Sequence, residues 1–205
     1  MAEDLAWFNS RLHHHLDAYL LLSDAQGETL YRHYQSLGRW NRKMNLTSIR
    51  SPEEIVVRHY CESLFFAVHV PPGWNDFADI GSGAGFPGVP MAVLRPGWKV
   101  TLVESHQRKA VFLRESTRNL ANVSVTAQRA EKLEREFGVM VSRAVDPVKV
   151  LSLVPQVANR VGLLMSAPDY EGVRNMLGWA WESVVGVPGG ERRLAVYGFH
   201  VDQRT

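Results

Sequence analysis

The sequence predicts an α/β fold in which a doubly wound, mostly parallel sheet follows an N-terminal helical extension and ends in an antiparallel hairpin. Three observations lead to this prediction. Helical periodicity dominates up to the Pro-Pro-Gly sequence at 71–73, strand and helix patterns alternate after it, and a glycine-rich turn at 77–88 joins the first strand to a helix. We therefore divide the chain into a helical region at 1–72 and an α/β domain at 73–205.

The composition is that of an ordinary globular protein, with 205 residues, 45% hydrophobic content and 21% charged content. Every apolar run is shorter than the roughly 20 residues that cross a membrane, and the acidic N-terminus lacks a signal-peptide pattern. Cys61 is the only cysteine, which excludes an internal disulfide. We therefore expect a cytoplasmic protein without a membrane partner, and we take it to be monomeric.

Apolar residues at helical spacing predict three helices in the first region. The first covers 4–22, and its three consecutive histidines at 13–15 point to different faces, so we predict no metal site there. The second begins near Ser23, which forms a capping box with Gln26. The third begins at Ser51, which is followed by a proline, and it runs to about residue 68.

Basic residues are concentrated around the ends of these helices, although the net charge of the chain is only +2. Such a cationic surface suits phosphate contacts. An equally simple interpretation is a solvated helix face. The candidates for phosphate contact are Arg39, Arg42, Lys43 and Arg58.

The second region alternates between strands and helices, which requires a parallel sheet covered on both faces. The predicted strands are at 76–80, 99–103, 123–127, 139–142 and 161–165. The predicted helices are at 89–94, 106–120, 131–137, 146–159 and 169–181. A hairpin formed by 183–187 and 193–197 completes the sheet.

The glycine-rich turn matches two patterns of nucleoside-containing cofactors. The segment from Gly83 to Gly88 satisfies G-x-G-x-x-G, which is found at dinucleotide sites. Asp79 followed by Gly81, Gly83 and Gly85 satisfies D-x-G-x-G-x-G, which is typical of S-adenosylmethionine enzymes. The second pattern places its first glycine at the strand end, where a tight turn is needed. Unpaired N–H groups at the start of the helix would attract polar or anionic groups of the ligand.

Three further positions follow strand ends, where ligands lie in a doubly wound sheet. Glu104 follows the second strand, and its carboxylate suits both hydroxyls of a ribose. Ala130 and Glu131 follow the third strand, and their backbone suits recognition of a base. Arg143 follows the fourth strand and suits either the cofactor carboxylate or a guanine, whose O6 and N7 arginine commonly contacts.

These motifs, in this order and spacing, resemble the family of ribosomal RNA small subunit methyltransferase G, also called glucose-inhibited division protein B, from about residue 40 to the C-terminus. The resemblance implies a Rossmann-like S-adenosylmethionine-dependent methyltransferase fold. It implies methyl transfer to guanine N7 in small-subunit (16S) ribosomal RNA, either free or within the small ribosomal subunit. The residues that carry it are 40–41, 45–47, 58–59, Ser63, 79–88, 104–105, 129–131, 142–144 and 191–194.

The resemblance also assigns site residues. It places Asn45 and His59 near the mouth of the pocket with Arg143 as catalytic candidates, although the first two are equally well explained as structural hydrogen-bonding residues. The cofactor-binding candidates are Gly81, Ser82, Gly83, Gly85, Phe86, Glu104, Ala130, Glu131 and Arg143.

Two positions depart from the family pattern. Ser166 stands where the family usually has a lysine, and Glu104 stands where it usually has an aspartate. The missing lysine removes a cation from the side where the substrate approaches. It keeps two alternatives open, a methyltransferase that acts on another substrate and a non-catalytic RNA-binding member of the fold.

Overall fold

A seven-stranded sheet forms the centre of the fold in a computed structural model that describes residues 3–189 and 192–201. The strand order is β3-β2-β1-β4-β5-β7-β6, and the first five of these strands are parallel. Strands β6 and β7 form the predicted antiparallel hairpin, whose turn includes residues 190–191 outside the described part. The strands are β1 Asp76–Ile80, β2 Lys99–Val103, β3 Val123–Thr126, β4 Val139–Arg143, β5 Arg160–Ser166, β6 Trp179–Gly186 and β7 Arg193–His200.

The three predicted N-terminal helices are present, and the second and third begin at their predicted caps. The first, predicted over 4–22, ends at Leu16. Helix α1 covers Leu5–Leu16 and α2 covers Asp24–Asn41, with the Ser23–Gln26 capping box complete. Ser51 caps α3, Pro52–Ile55. This helix continues through a π-helical turn, Val56–Cys61, into α4, Glu62–Val68. Sequence periodicity does not reveal the π turn, and such turns occur often at functional sites.

Helices cover both faces of the sheet. Successive side chains of a strand point to opposite faces, and the side chains on each face pack against helices. On one face, Phe77 of β1 packs in a cluster with residues of α1, α2 and α4, and it also meets α5, Gly88–Leu94, and α6, Gln107–Thr117. On the other face, Ala78 packs in a second cluster with α7, Pro147–Leu151, and α8, Ala167–Val173.

In the α/β domain, three predicted helices differ in type or length from those in the structure. The segment at 131–137 forms only a 3₁₀ turn, Ala130–Lys132. The helix predicted at 146–159 ends at Leu151, because Pro155 has no N–H group to continue it. The helix predicted at 169–181 ends at Val173, and strand β6 begins at Trp179. Gly178 separates the two elements with a φ of +81°, a conformation that a helix cannot contain.

Candidate active site

The glycine-rich turn lies at the carboxyl end of β1, next to the point where the strand order reverses between β1 and β4. Gly81, Gly83 and Gly85 have φ values of +70°, +57° and +91°, which glycine adopts without strain. A Cβ atom at Gly81 would lie 2.6 Å from Cγ2 of Val145. The turn therefore packs this closely against Val145 only because residue 81 has no side chain.

The N–H groups of the turn are mostly used within the protein, which corrects the expectation that they attract anionic groups of a ligand. The Gly83 N–H donates to Oε2 of Glu104 at 2.9 Å, and the Gly88 N–H at the start of α5 donates to Oδ2 of Asp79 at 3.1 Å. The N–H groups of Gly81, Ser82, Gly85 and Phe86 donate to backbone carbonyl groups. Few donors remain for a pyrophosphate, so the turn favours the second cofactor pattern over a dinucleotide.

Asp79 joins the end of β1 to the start of α5 beneath this turn. Its side chain is fully buried, and Oδ2 accepts a hydrogen bond from the Gly88 N–H at 3.1 Å. Within the described residues its Oδ1 has no hydrogen-bond partner. Burial raises the pKa of Asp79 to about 7, and the negative charge of Glu104 acts in the same direction. Asp79 therefore stabilises the glycine-rich turn through its hydrogen bond with Gly88.

Replacing Asp79 by Asn should change how stability depends on pH. The carboxyl group has a pKa near 4 in an unfolded chain, whereas burial raises the pKa of Asp79 to about 7 in the folded protein. Protonated Asp79 should therefore contribute its full stability below about pH 4, and this contribution should be lost as the pH rises towards 7. Asn keeps an acceptor for the Gly88 N–H and does not titrate, so the stability of the variant relative to the wild type should rise by about 3 kcal/mol across this range.

Urea unfolding at pH 5 and pH 8 measures this difference. Asp76→Asn, on the same strand but partly exposed, controls for the loss of a carboxylate. Parallel pH profiles of the wild type and Asp79→Asn would contradict the prediction.

Glu104 is buried behind the turn and already has partners for both oxygens. Oε2 accepts from Gly83, and Oε1 accepts from the His106 N–H at 2.8 Å. Each oxygen keeps a second lone pair, so the predicted contact with ribose hydroxyls stays compatible with these bonds. Its neighbours Val103 and Ser105 line a cavity at the carboxyl edge of the sheet.

This first cavity has a volume of about 370 Å³. Apolar side chains form much of its wall, including Ile80, Val103 and Leu153. The predicted residues Ala130 and Glu131 lie at its edge, in the 3₁₀ turn after β3. An apolar cavity beside exposed backbone is suitable for a planar nucleobase.

A second cavity of about 250 Å³ adjoins the first, and the two share Gly81 and Val145. Several predicted residues come together here, but Gly85 lines neither cavity because it packs against Val89 and His33. The predicted residues in the wall of the second cavity are His59, Gly81, Ser82, Gly83, Phe86 and Arg143.

Arg143 is held in this wall by a neutral histidine. Nη1 of Arg143 lies 2.9 Å from Nδ1 of His59, and Nε2 of His59 lies 2.8 Å from Oγ1 of Thr47. Arginine has only donors, so Nδ1 accepts and the histidine proton is on Nε2, where it donates to Thr47. Burial, together with the positive charge of Arg143, lowers the pKa of His59 to about 3. His59 is therefore neutral at physiological pH, and its ring stacks on Phe86.

A buried carboxylate, Glu62, lies behind Arg143. Its Oε2 is 3.6 Å from Nη2 of Arg143 and 3.5 Å from Nη2 of Arg193, the first residue of β7. Only 3% of the Glu62 side chain is exposed, compared with 9% for Arg143 and 20% for Arg193. Burial lowers the pKa of Arg143 to about 10, and Glu62 opposes this shift.

The loop that covers the second cavity is shaped by Asn41, not by Asn45. Oδ1 of Asn41 accepts from the N–H groups of Leu46 and Thr47 at 2.8 and 3.0 Å, and Nδ2 donates to the Thr47 carbonyl at 3.1 Å. Leu46 reaches the cavity wall, whereas Asn45 is exposed beside it. A catalytic role for Asn45 stays a prediction.

The four basic candidates are exposed, and none of them lines either cavity. Arg39 and Arg42 lie in a separate groove of about 410 Å³, which also contains Tyr31 and Tyr34. Lys43 follows them in the loop after α2, and Arg58 is next to His59 in the π turn. Their exposure suits long-range attraction of phosphates.

Several residues of the site carry no signal that was visible in the sequence. Lys109 and Val145 line the second cavity, and Lys149 lines the first. The two lysines resemble solvated helix residues in the sequence. Glu62 lies one turn after His59, but its burial between two arginines depends on strands far away in the chain. In the part of the chain that the structure describes, His, Cys, Asp and Glu side chains form no group of three that could hold a metal ion.

Comparison with known proteins identifies a single family. A family model described as rRNA small subunit methyltransferase G matches residues 26–165. Ribosomal RNA small subunit methyltransferase G from Nitrosomonas europaea is 45% identical over 142 residues, which are 65% of this chain and 65% of that one. The protein of the same name from Stenotrophomonas maltophilia is 38% identical over 186 residues, which are 84% of this chain and 87% of that one. The match therefore spans just under two thirds of the first relative and most of the second.

Solved structures share the fold at low sequence identity. Magnesium protoporphyrin IX methyltransferase from Synechocystis PCC 6803, with bound SAM, has a TM-score of 0.58 and 14% identity, over 88% of this chain and 98% of that chain. A mutant of MtNAS in complex with S-adenosylmethionine has a TM-score of 0.60 and 17% identity, over 98% and 79%. These structures support the methyltransferase fold. Among the helices of the described residues, none is long and apolar enough to cross a membrane.

Proposed function

Because the chain belongs to the family of rRNA small subunit methyltransferase G, we propose that it transfers a methyl group from S-adenosylmethionine to N7 of a guanine in small-subunit ribosomal RNA. The observation that carries this proposal is the pair of adjoining cavities, with Arg143 fixed by neutral His59 in the wall of the second. The first cavity suits the nucleoside part of the cofactor, and the second suits the remainder together with a base.

The residues around the two cavities fit S-adenosylmethionine. Gly81 has no Cβ atom that would overlap Val145 in the shared wall of the two cavities. The apolar wall around Ala130 suits adenine. Glu104 has free lone pairs for ribose hydroxyls, and Lys109 and Arg143 supply cations for a carboxylate in the second cavity. When bound, the cofactor supplies an electrophilic methyl group.

Transfer to guanine N7 requires positioning of the base more than acid–base chemistry. N7 has a free lone pair in the plane of the ring, so no proton is removed before it attacks. His59 agrees with this requirement, because its Nδ1 is occupied by Arg143 and burial keeps its pKa at about 3. Arg143 donates to guanine O6 and orients the base, while N7 stays free. His59 acts as a positioning residue for Arg143.

In this proposal the helical region at 1–72 supplies most of the RNA-binding surface, and the domain at 73–205 supplies the cofactor site together with Arg143. The loop shaped by Asn41 brings Leu46 to the second cavity, and the exposed cations Arg42 and Lys43 lie just before it. The four basic candidates therefore attract the RNA backbone towards the cavity.

Replacing Arg42 and Lys43 together by Gln should weaken RNA binding and its salt dependence. Two lost phosphate contacts should lower the slope of log affinity against log salt by about 1.4. Equilibrium binding to 16S ribosomal RNA at several salt concentrations measures the slope, and urea unfolding controls for the loss of cations at the end of α2. An unchanged slope would contradict the assignment of these residues.

Transfer of a tritium-labelled methyl group from S-adenosylmethionine to ribosomal RNA tests the proposed function. Small subunits that lack the modification and free 16S RNA are assayed in parallel, and chemical cleavage at 7-methylguanine maps the product. Labelled RNA with a cleavage site supports the proposal, and the better substrate identifies the form that is recognised. Label in another molecule would indicate a different methyltransferase, and cofactor binding without transfer would indicate a non-catalytic RNA-binding protein.

We also propose that the enzyme acts in the cytoplasm and is a monomer. Size-exclusion chromatography with light scattering tests the monomeric state.

A further inference from the structure

Two arginines share one buried carboxylate beside the second cavity. Nη2 of Arg143 and Nη2 of Arg193 lie 3.6 and 3.5 Å from the same oxygen of Glu62. That oxygen has no hydrogen-bond partner within the described residues. With His59 neutral, the cluster of Arg143, Arg193 and Glu62 has one positive charge more than it has negative charges. A buried cluster with an excess cation favours an additional anion.

Arg193 is the arginine that is free to meet this anion. Arg143 is fixed by the 2.9 Å hydrogen bond to His59, whereas the contacts of Arg193 with Glu62 and with the Leu164 carbonyl are both 3.5 Å long. The Nε atom of Arg193 is buried and has no partner in the described part of the chain. Its side chain is also about twice as exposed as that of Arg143.

The position of Arg193 explains how the site can do without a cation at residue 166. Ser166 ends β5, and its hydroxyl takes part in a capping box with Asp169 at the start of α8. The Ser166 side chain therefore serves the helix. In the antiparallel register, Arg193 of β7 is the direct partner of Ser166. This places the Arg193 guanidinium beside the carboxyl end of β5, at the edge of the sheet that carries the site.

We propose that Arg193 binds a phosphate group of the nucleic acid substrate by exchanging its loose contact with Glu62 for that phosphate. The inference rests on the proposed function and adds a substrate-binding residue to it. Arginine is suited to this exchange, because its planar group binds a phosphate through two hydrogen bonds. Glu62 keeps Arg143 as its counter-ion during the exchange.

Arg193→Gln is the direct test. Affinity for 16S ribosomal RNA should fall about 5- to 10-fold near physiological salt, and the slope of log affinity against log salt should fall by about 0.7. Cofactor affinity should stay within twofold of the wild type. Arg160→Gln is the matched control, because Arg160 is an exposed cation at the opposite end of β5. It should leave the affinity and the slope unchanged.

A double variant separates this role from simple neutralisation of Glu62. Glu62→Gln with Arg193→Gln removes both partners and leaves the cluster with one net positive charge, as in the wild type. If Arg193 binds a phosphate, the double variant keeps the weak RNA binding and the reduced slope. If the double variant regains RNA affinity and slope, the proposal is overturned, because Arg193 then acts only as a counter-ion.

The binding measurement does not depend on catalysis, so the two proposals fail in different ways. An unchanged affinity and slope in Arg193→Gln, with methyl transfer to RNA intact in the wild type, overturns the role of Arg193 alone. A wild-type protein that binds RNA with the Arg193-dependent slope but transfers no methyl group overturns the proposed function and supports the role of Arg193.

Discussion

Replacing Arg143 by Ala should lower the rate of methyl transfer to ribosomal RNA by about 100-fold, while the protein still folds. The guanidinium is the side chain that we assign to guanine O6, and an unoriented base loses in-line approach to the methyl group. The fold should survive because Arg193 remains 3.5 Å from Glu62, so the buried carboxylate keeps a counter-ion. Single-turnover transfer with saturating cofactor and RNA measures the change at the chemical step.

Two further variants test why the rate of methyl transfer falls when Arg143 is replaced. Arg143→Lys keeps the positive charge but removes the planar pair of donors, so its rate should recover only partly. Thr47→Val removes the acceptor for the His59 Nε2–H, which loosens the histidine that fixes Arg143. Its rate should fall less than that of Arg143→Ala, by about tenfold. Transfer by Arg143→Ala at the wild-type rate would remove Arg143 from the proposed mechanism.

Much of the fold follows from local patterns that a single sequence displays. The caps at Ser23 and Ser51 and the alternating strands each depend on neighbouring residues, and the structure confirms them. The prediction of secondary structure fails where pairing between distant segments decides which element forms. The helix predicted at 169–181 extends past Gly178, but residues 179–181 instead begin strand β6, which pairs with β7 and partly buries Trp179 and Trp181.

The site divides in the same way. The turn at Gly81 and the strand-end position of Arg143 are visible in the sequence, because parallel strands bring their carboxyl ends to one edge. The cluster of Glu62, Arg143 and Arg193 is not, because its three residues come from a helix and two strands that only the folded chain brings together. The hydrogen bonds of Glu104 are likewise not visible in the sequence, because its oxygens accept from backbone N–H groups in the turn and beyond β2.

Replacing Gly81 by Ala should lower affinity for S-adenosylmethionine by about 10- to 100-fold. The backbone at Gly81 has a φ of +70°, and a new Cβ atom would lie 2.6 Å from Cγ2 of Val145. Because both cavities share these two residues, any shift that relieves the overlap changes the space for the cofactor. Isothermal titration with S-adenosylmethionine measures the loss without any need for an RNA substrate.

Two further variants separate the lost space from backbone strain. Gly73 has a similar φ of +83°, but a Cβ atom there would have nothing within 4 Å. Gly73→Ala should therefore show a comparable strain of about 1 kcal/mol in urea unfolding and wild-type cofactor affinity. Combining Gly81→Ala with Val145→Ala removes the overlap and keeps the strain, so affinity should recover at least in part. If the double variant binds as weakly as Gly81→Ala, the contact with Val145 does not explain the need for glycine, and strain in the turn decides it.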